Sequence, residues 1–205
     1  MDINIVFQIA ILIVSVIVHE VSHGYAALML GDHTAEYEGR LTLNPIKHID
    51  LFGSIILPLL LIITKAGFVL GWAKPVPYNP YNLKNQKWGE AIVAGAGPLT
   101  NIVIAIFFGL LIRFLLPLGF LSQSMIGALS LIVLINLLLA FFNLIPIPPL
   151  DGSKILFSIL PYHLAHIRAK LEQYGFFILI FFIIFLGQLL FTPAIMIFSL
   201  ITGIR

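Results

Sequence analysis

Residues 3–30 read INIVFQIAILIVSVIVHEVSHGYAALML, a predominantly apolar run with a cluster of ionisable residues toward its end. As a helix the run would extend about 42 Å, more than the roughly 30 Å hydrocarbon core of a bilayer requires. It predicts a tilted membrane-spanning helix. A cleavable signal peptide fits worse, because Met1-Asp2 puts an acid where a basic leader belongs and no A-x-A site follows.

Working outward, the same length test marks 91–116, 126–145 and 176–201 as three further spans. The segment 51–70 is effectively shorter, since its uncharged run ends at Lys65 and is interrupted by Pro58. That length suits a re-entrant element or a short fifth span. Beyond it, Gly71-Trp-Ala-Lys-Pro-Val-Pro-Tyr-Asn-Pro-Tyr-Asn82 favours extended backbone and turns at an interface. Composition agrees with the spans: of 205 residues, 60% are hydrophobic and 10% charged, against roughly 25% charged in soluble domains. So few charges cannot coat a soluble surface. The expectation is an all-α polytopic protein of the cell membrane, with the lipid bilayer as its solvent and residues 1–205 as a single domain. A formal net charge of +2 without a basic run excludes nucleic acid as a partner. With no Cys, any metal must be held by His and carboxylates.

An ionisable side chain inside an apolar span costs at least a few kcal/mol, so each one asks for a reason. The first span holds His19-Glu20-Val21-Ser22-His23. Four residues apart on a helix, His19 and His23 project from one face and can converge on one metal ion. Glu20 lies about 100° round the helix from His19, near enough to reach a metal-bound water without entering the coordination sphere. This is the H-E-x-x-H arrangement, in which zinc lowers the pKa of water and the glutamate takes its proton.

A catalytic zinc takes three protein ligands and keeps one position open. Ala26 and Met29 stand where the extended metzincin pattern has Gly and His, so that continuation is absent. Glu36 and Glu38 follow His23 too closely, in a polar loop, and His33 and His48 read as solvated loop residues. Asp151 is the better third ligand. It follows Asn143-Leu-Ile-Pro-Ile-Pro-Pro-Leu-Asp151-Gly152, where three prolines and a glycine break a span and leave irregular backbone around a carboxylate. Such backbone at membrane depth is tolerated only against protein or a water-filled cavity. The alternative is an interfacial turn in which Asp151 caps the following helix.

On these residues the chain resembles the site-2 protease family of intramembrane zinc metalloproteases. The match rests on H-E-V-S-H at 19–23 and N-L-I-P-I-P-P-L-D-G at 143–152, with A-G-A-G-P-L-T-N at 94–101 as a weaker third block, in the family's order. The resemblance implies one Zn2+ ligated by His19, His23 and Asp151, with Glu20 as general base. It implies an intramembrane endopeptidase whose substrate is a membrane-spanning or membrane-associated protein. It also implies the compact form without a PDZ insert, since no stretch here would hold one. The rival is a non-enzymatic metal-ion transport or binding protein, although the paired repeats and broken helices of transporters are not found.

Asn101 and Asn143 are amides in or beside spans, able to hydrogen-bond an extended substrate or a developing oxyanion, or to bond helix to helix. Gly95, Gly97 and Asn136 read as helix-packing residues, and His163 and His166 as part of an amphipathic interfacial turn. If one metal joins the first span to Asp151, the spans 3–30 and 126–145 must run parallel. The span 91–116 supplies the one crossing between them, so 51–70 should enter and leave on the same side. One side then carries Arg40, Lys47, Lys65, Lys74, Lys84, Lys87, Lys154, Arg168 and Lys170, the other only Arg113 and Arg205. By the positive-inside tendency the metal lies nearer the cytoplasmic face, with both termini outside. A helical substrate hides its carbonyls and would have to unwind, adding a strand along 71–80.

Overall fold

The computed structural model describes residues 5–56, 59–60, 63–64 and 72–204. Three long helices come first along the core: α1 (Ile5–Met29), α2 (Gly89–Leu115) and α3 (Gln123–Asn143). A short α4 (Asp151–Ile159) follows, then α5 (Ala165–Leu186) and α6 (Phe191–Thr202), joined by a 3-10 turn at Gly187–Leu190. Four helical units are long and apolar enough to cross a membrane: α1, α2, α3 and the combined stretch Ala165–Thr202. Among the described residues there is no β-strand, as expected where hydrocarbon offers the backbone no partners.

The fourth unit starts earlier than hydropathy predicts, because the polar residues His166, Arg168, Lys170 and Glu172 form its first turns. Arg168 Nε donates to Glu172 one turn later at 2.8 Å, a pairing that supports a helix there. Of the segment 51–70, the described part is a π-helical turn at Leu51–Ile56 and residues 59, 60, 63 and 64; Pro58 and Lys65 lie outside the described residues. The base of this segment is closed: the Trp72 N–H donates to Gly53 O at 3.2 Å and Ser54 Oγ donates to Trp72 O at 2.8 Å.

The core lies between α2, α3 and α6, where Ala105, Ile112, Val133, Leu137 and Ala194 are buried together. Gly109 lets α6 approach, since a methyl group at that position would stand 2.4 Å from Ile201 Cγ2, the small-residue packing usual in membranes. Outward-facing Ile9, Leu99, Phe107 and Phe177 are at least half exposed, which suits lipid contact.

Hydrogen bonds give the register. Ser15 and His19 of α1 meet Asn101 of α2, whereas His23 meets Val93, so these two helices run antiparallel. Ser15 also meets Asn136 of α3, and His19 and His23 meet Asp151 beyond its C-terminal end, so α1 and α3 run parallel as expected. The Lys84 N–H donates to Leu30 O at 2.8 Å. The long connection from α1 to α2 therefore leaves and returns at one end of the bundle.

Candidate metal centre

His19 and His23 lie one turn apart near the C-terminal end of α1, both buried, with their rings edge to face at 4.7 Å. Each ring is tied to α2 through one nitrogen. The Nδ1–H of His19 donates to Asn101 Oδ1 at 2.5 Å, and that of His23 to the Val93 carbonyl at 2.7 Å. A carbonyl oxygen has no proton to give, so in a neutral ring the proton sits on Nδ1 and Nε2 carries a lone pair. Both Nε2 atoms face Asp151 Oδ2, at 3.1 and 3.2 Å.

Asp151 reaches the histidines because the chain breaks after α3. Leu150 is the N-cap of α4 and Asp151 its first helical residue, where the helix dipole favours a carboxylate. Asp151 thus does not cap that helix, which corrects the alternative reading. Gly152 is required beside it, since a methyl group there would stand 2.2 Å from Leu144 O and 2.5 Å from Ile145 O. Gly175 of α5 lets that helix back the same loop: a methyl group there would lie 2.6 Å from Pro148 O.

Two lone pairs and a carboxylate oxygen crowded together repel unless a proton or a metal ion lies among them. Ligands of a tetrahedral zinc, each roughly 2.0–2.2 Å from the ion, stand about 3.4 Å apart, close to the spacing here. Two imidazoles and one carboxylate are also a known donor set of catalytic zinc. Gly97 keeps the space open, since a methyl group there would lie 2.6 Å from His19 Nε2 and from His23 Cε1. Donors, tautomers and cradle fit the ion. Among the described residues this is the group of three whose ligand atoms all lie within 4.8 Å of one another.

Half-buried Glu20 faces a different neighbour. Its Oε2 accepts the Val76 N–H at 2.9 Å. Val76 belongs to an extended strap, residues 72–79, that is pinned at both ends. Arg40 Nη2 donates to Lys74 O at 2.8 Å and Pro75 O at 3.1 Å. Asp32, fully buried, accepts from the Asn79 N–H, Asn82 Nδ2 and the Thr34 hydroxyl at 2.6–2.8 Å. Burial pushes the Asp32 carboxyl up, but the hydrogen bonds from Thr34, Asn82 and Asn79 outweigh it and hold it below its ordinary value. Gly24 lets the strap close on α1, as a methyl group there would stand 2.8 Å from Val76 Cγ1.

The profile of peptidase family M50 matches residues 7–126 and 119–186. The chain belongs to peptidase family M50. This is the site-2 protease family its motifs resemble, and the M50 assignment makes it a multi-pass membrane metalloendopeptidase that uses zinc. YwhC of Bacillus subtilis (strain 168) is 38% identical over 198 residues, covering 92% of this chain and 85% of the relative. Rip2 of Mycolicibacterium smegmatis is 34% identical over 184 residues, 89% of this chain and 66% of the relative, so about a third of that protein has no counterpart here. Both carry zinc metalloprotease names. No solved structure matches the chain at significance.

The other polar residues of this M50 chain divide clearly. Asn101 is fully buried with its amide bonded to protein, whereas Asn143 is half-buried at the end of α3 and donates to Leu139 O at 3.0 Å. Gly97 packs against the imidazoles, but nothing lies within 4 Å of a methyl group at Gly95, so close packing does not explain the latter. His33 is exposed and pairs with Glu36 at 2.7 Å. His48, expected in solvent, is buried and donates from Nε2 to Thr42 O at 2.8 Å. His163 and His166 are exposed around the start of α5. The strap offers little for strand addition: the N–H groups of Trp72, Lys74, Val76 and Asn79 are committed, and Pro75 and Pro77 have none. Sequence reading missed Asp32, Arg40 and Val76, for which the only signal was an acid just beyond a helix end.

Proposed function

We propose that this M50 peptidase cuts membrane-spanning or membrane-associated proteins near the cytoplasmic face of the cell membrane, with one zinc ion held by His19, His23 and Asp151 and with Glu20 as general base. The observation that carries the proposal is the convergence of His19 Nε2, His23 Nε2 and Asp151 Oδ2 within an apolar bundle. When bound, zinc supplies Lewis acidity, polarising a carbonyl and acidifying water. The remaining work falls to side chains of the protein. Glu20 takes a proton from the attacking water and returns it to the leaving amine. Its Oε2 is engaged by Val76, which leaves Oε1 for that transfer. Asn143 offers its amide to the substrate backbone or the developing oxyanion. Asn101 spends its amide on neighbouring side chains, so its part is to orient His19 and not to touch substrate.

The distribution of charge supports the cytoplasmic placement. Arg40, Lys74, Lys84 and Lys154 gather at the end of the bundle that holds the metal ligands, while Arg113 donates to Leu200 O at the opposite end. The test uses purified protein in liposomes with a membrane-anchored reporter substrate. Glu20→Gln should abolish cleavage while one zinc per chain is retained, and Asp151→Asn should lose the zinc. Metal flux that survives Glu20→Gln, with no cleavage by the unmodified protein, would overturn the proposal in favour of a transporter.

A further inference from the structure

We infer that Asn136 is a positioning residue that fixes the tautomer of His19, acting through Asn101. The inference rests on the reading of His19 as a metal ligand. It begins from two polar side chains, Ser15 and Asn136, that lie in the spans and touch neither proposed substrate nor ion.

The chain of hydrogen bonds has a direction. Asn136 Nδ2 donates to Ile132 O at 2.9 Å and to Ser15 Oγ at 3.0 Å. A main-chain carbonyl only accepts, so the NH2 end of Asn136 must face Ile132, and both its protons are spent. Asn136 Oδ1 is thereby turned to α2, where it accepts from Asn101 Nδ2 at 2.7 Å. Asn101 Nδ2 lies also 3.4 Å from Ser15 O, a second acceptor. With its NH2 end held by two acceptors, Asn101 must point Oδ1 at His19 Nδ1. An amide oxygen only accepts, so the imidazole proton is drawn to Nδ1 and the lone pair of Nε2 is left for the ion.

Asn101 and Asn136 are both at 0% exposure, so no water replaces a mismatched partner. A reversed amide would set donor against donor where the dielectric is low, which is costly. His23 needs no such relay, because the Val93 carbonyl fixes its proton directly. The two histidines are therefore set by different devices, one by backbone and one by a pair of asparagines. Without the Asn136 acceptor, only the longer 3.4 Å contact to Ser15 O holds the NH2 end of Asn101, and the amide can turn to present NH2 to His19, which then carries its proton on Nε2 and cannot ligate.

Two substitutions separate this role from simple packing. Asn136→Leu keeps a similar bulk and suits the apolar surroundings but removes the acceptor, while Asn136→Asp, as the neutral acid, keeps an acceptor oxygen toward Asn101 and an O–H donor toward Ile132 O. Packing alone predicts that Leu is the better tolerated. The relay predicts the reverse for zinc affinity, measured by chelator competition on the purified protein in detergent: close to unmodified in Asn136→Asp, and weaker by about 10–100-fold in Asn136→Leu. A second readout needs no variant. Nitrogen-15 NMR of the metal-free protein should find His19 protonated on Nδ1 and bare on Nε2. Equal affinity in Asn136→Leu and the unmodified protein, equal losses in the two variants, or an Nε2-protonated His19 would each overturn the inference. Should the unmodified protein bind no zinc, the metal reading fails, and the tautomer measurement still decides the relay.

Discussion

The N–H of Val76 donates to the Oε2 of Glu20 at 2.9 Å, joining a strap to a carboxylate 56 positions earlier in the chain. One oxygen of the proposed base is thus held by backbone, and its side-chain freedom is reduced before any substrate arrives. A hydrogen bond to a charged group contributes about 1.5–3 kcal/mol.

Val76→Pro removes that donor. It should lower kcat by roughly 10–100-fold while leaving KM and zinc content near those of the unmodified protein. Val76→Leu retains the N–H and should retain kcat. Steady-state kinetics with metal analysis checks this, and a change confined to KM would show that the strap contacts substrate instead.

The two glycines of the third motif make a paired test. Gly97→Ala places a methyl group 2.6 Å from both imidazoles, whereas Gly95→Ala places one in open space. Zinc affinity should drop at least about 10-fold in the first and stay unchanged in the second. Similar affinities for both variants would mean that the imidazoles yield to the added methyl.

Asp32 predicts an acid dependence. Its carboxyl titrates below the ordinary value when folded, so its contribution is fully present above the unfolded pKa of about 3.9. That contribution is lost as pH falls through the lower, folded value. Thermal unfolding in detergent should show Tm declining below about pH 4. Asp32→Asn should lower stability at neutral pH by about 1–3 kcal/mol and flatten the acid limb. An unchanged acid limb in that variant would assign it to another group.

Much of this was legible in the sequence, and the exceptions have physical causes. Spans were read from length and hydropathy because a bilayer imposes both, and the parallel run of α1 and α3 followed from requiring one metal to join His19 and Asp151. The start of α5 escaped, since helical pairing of Arg168 with Glu172 leaves no hydropathic trace. Burial of His48 and Asp32 depends on backbone partners brought from the strap and the 42–48 turn, which no local pattern announces. Asn136 was visible as a costly amide in an apolar span, but its partner could be named only with the register of α1 against α2 and α3.

The cysteine-free chain also allows a clean topology test. Single cysteines at exposed Leu43, Tyr81 and Phe120 should label from one side for the first two and from the other side for the third. Labelling of positions 43 and 81 from opposite sides would show that the connection crosses the bilayer.

The closed base of the α1 to α2 connection has an evolutionary consequence. Trp72 is fastened to Gly53 and Ser54, and Lys74 to His48, before the strap reaches Glu20. The two ends of the intervening stretch, at 53–54 and 72, are held together independently of its length. Lengthening it costs only about 0.6 kcal/mol for each doubling of a flexible loop. A module spliced between residues 56 and 72 would therefore leave the ties at the base, and the Val76 to Glu20 hydrogen bond beyond them, in place.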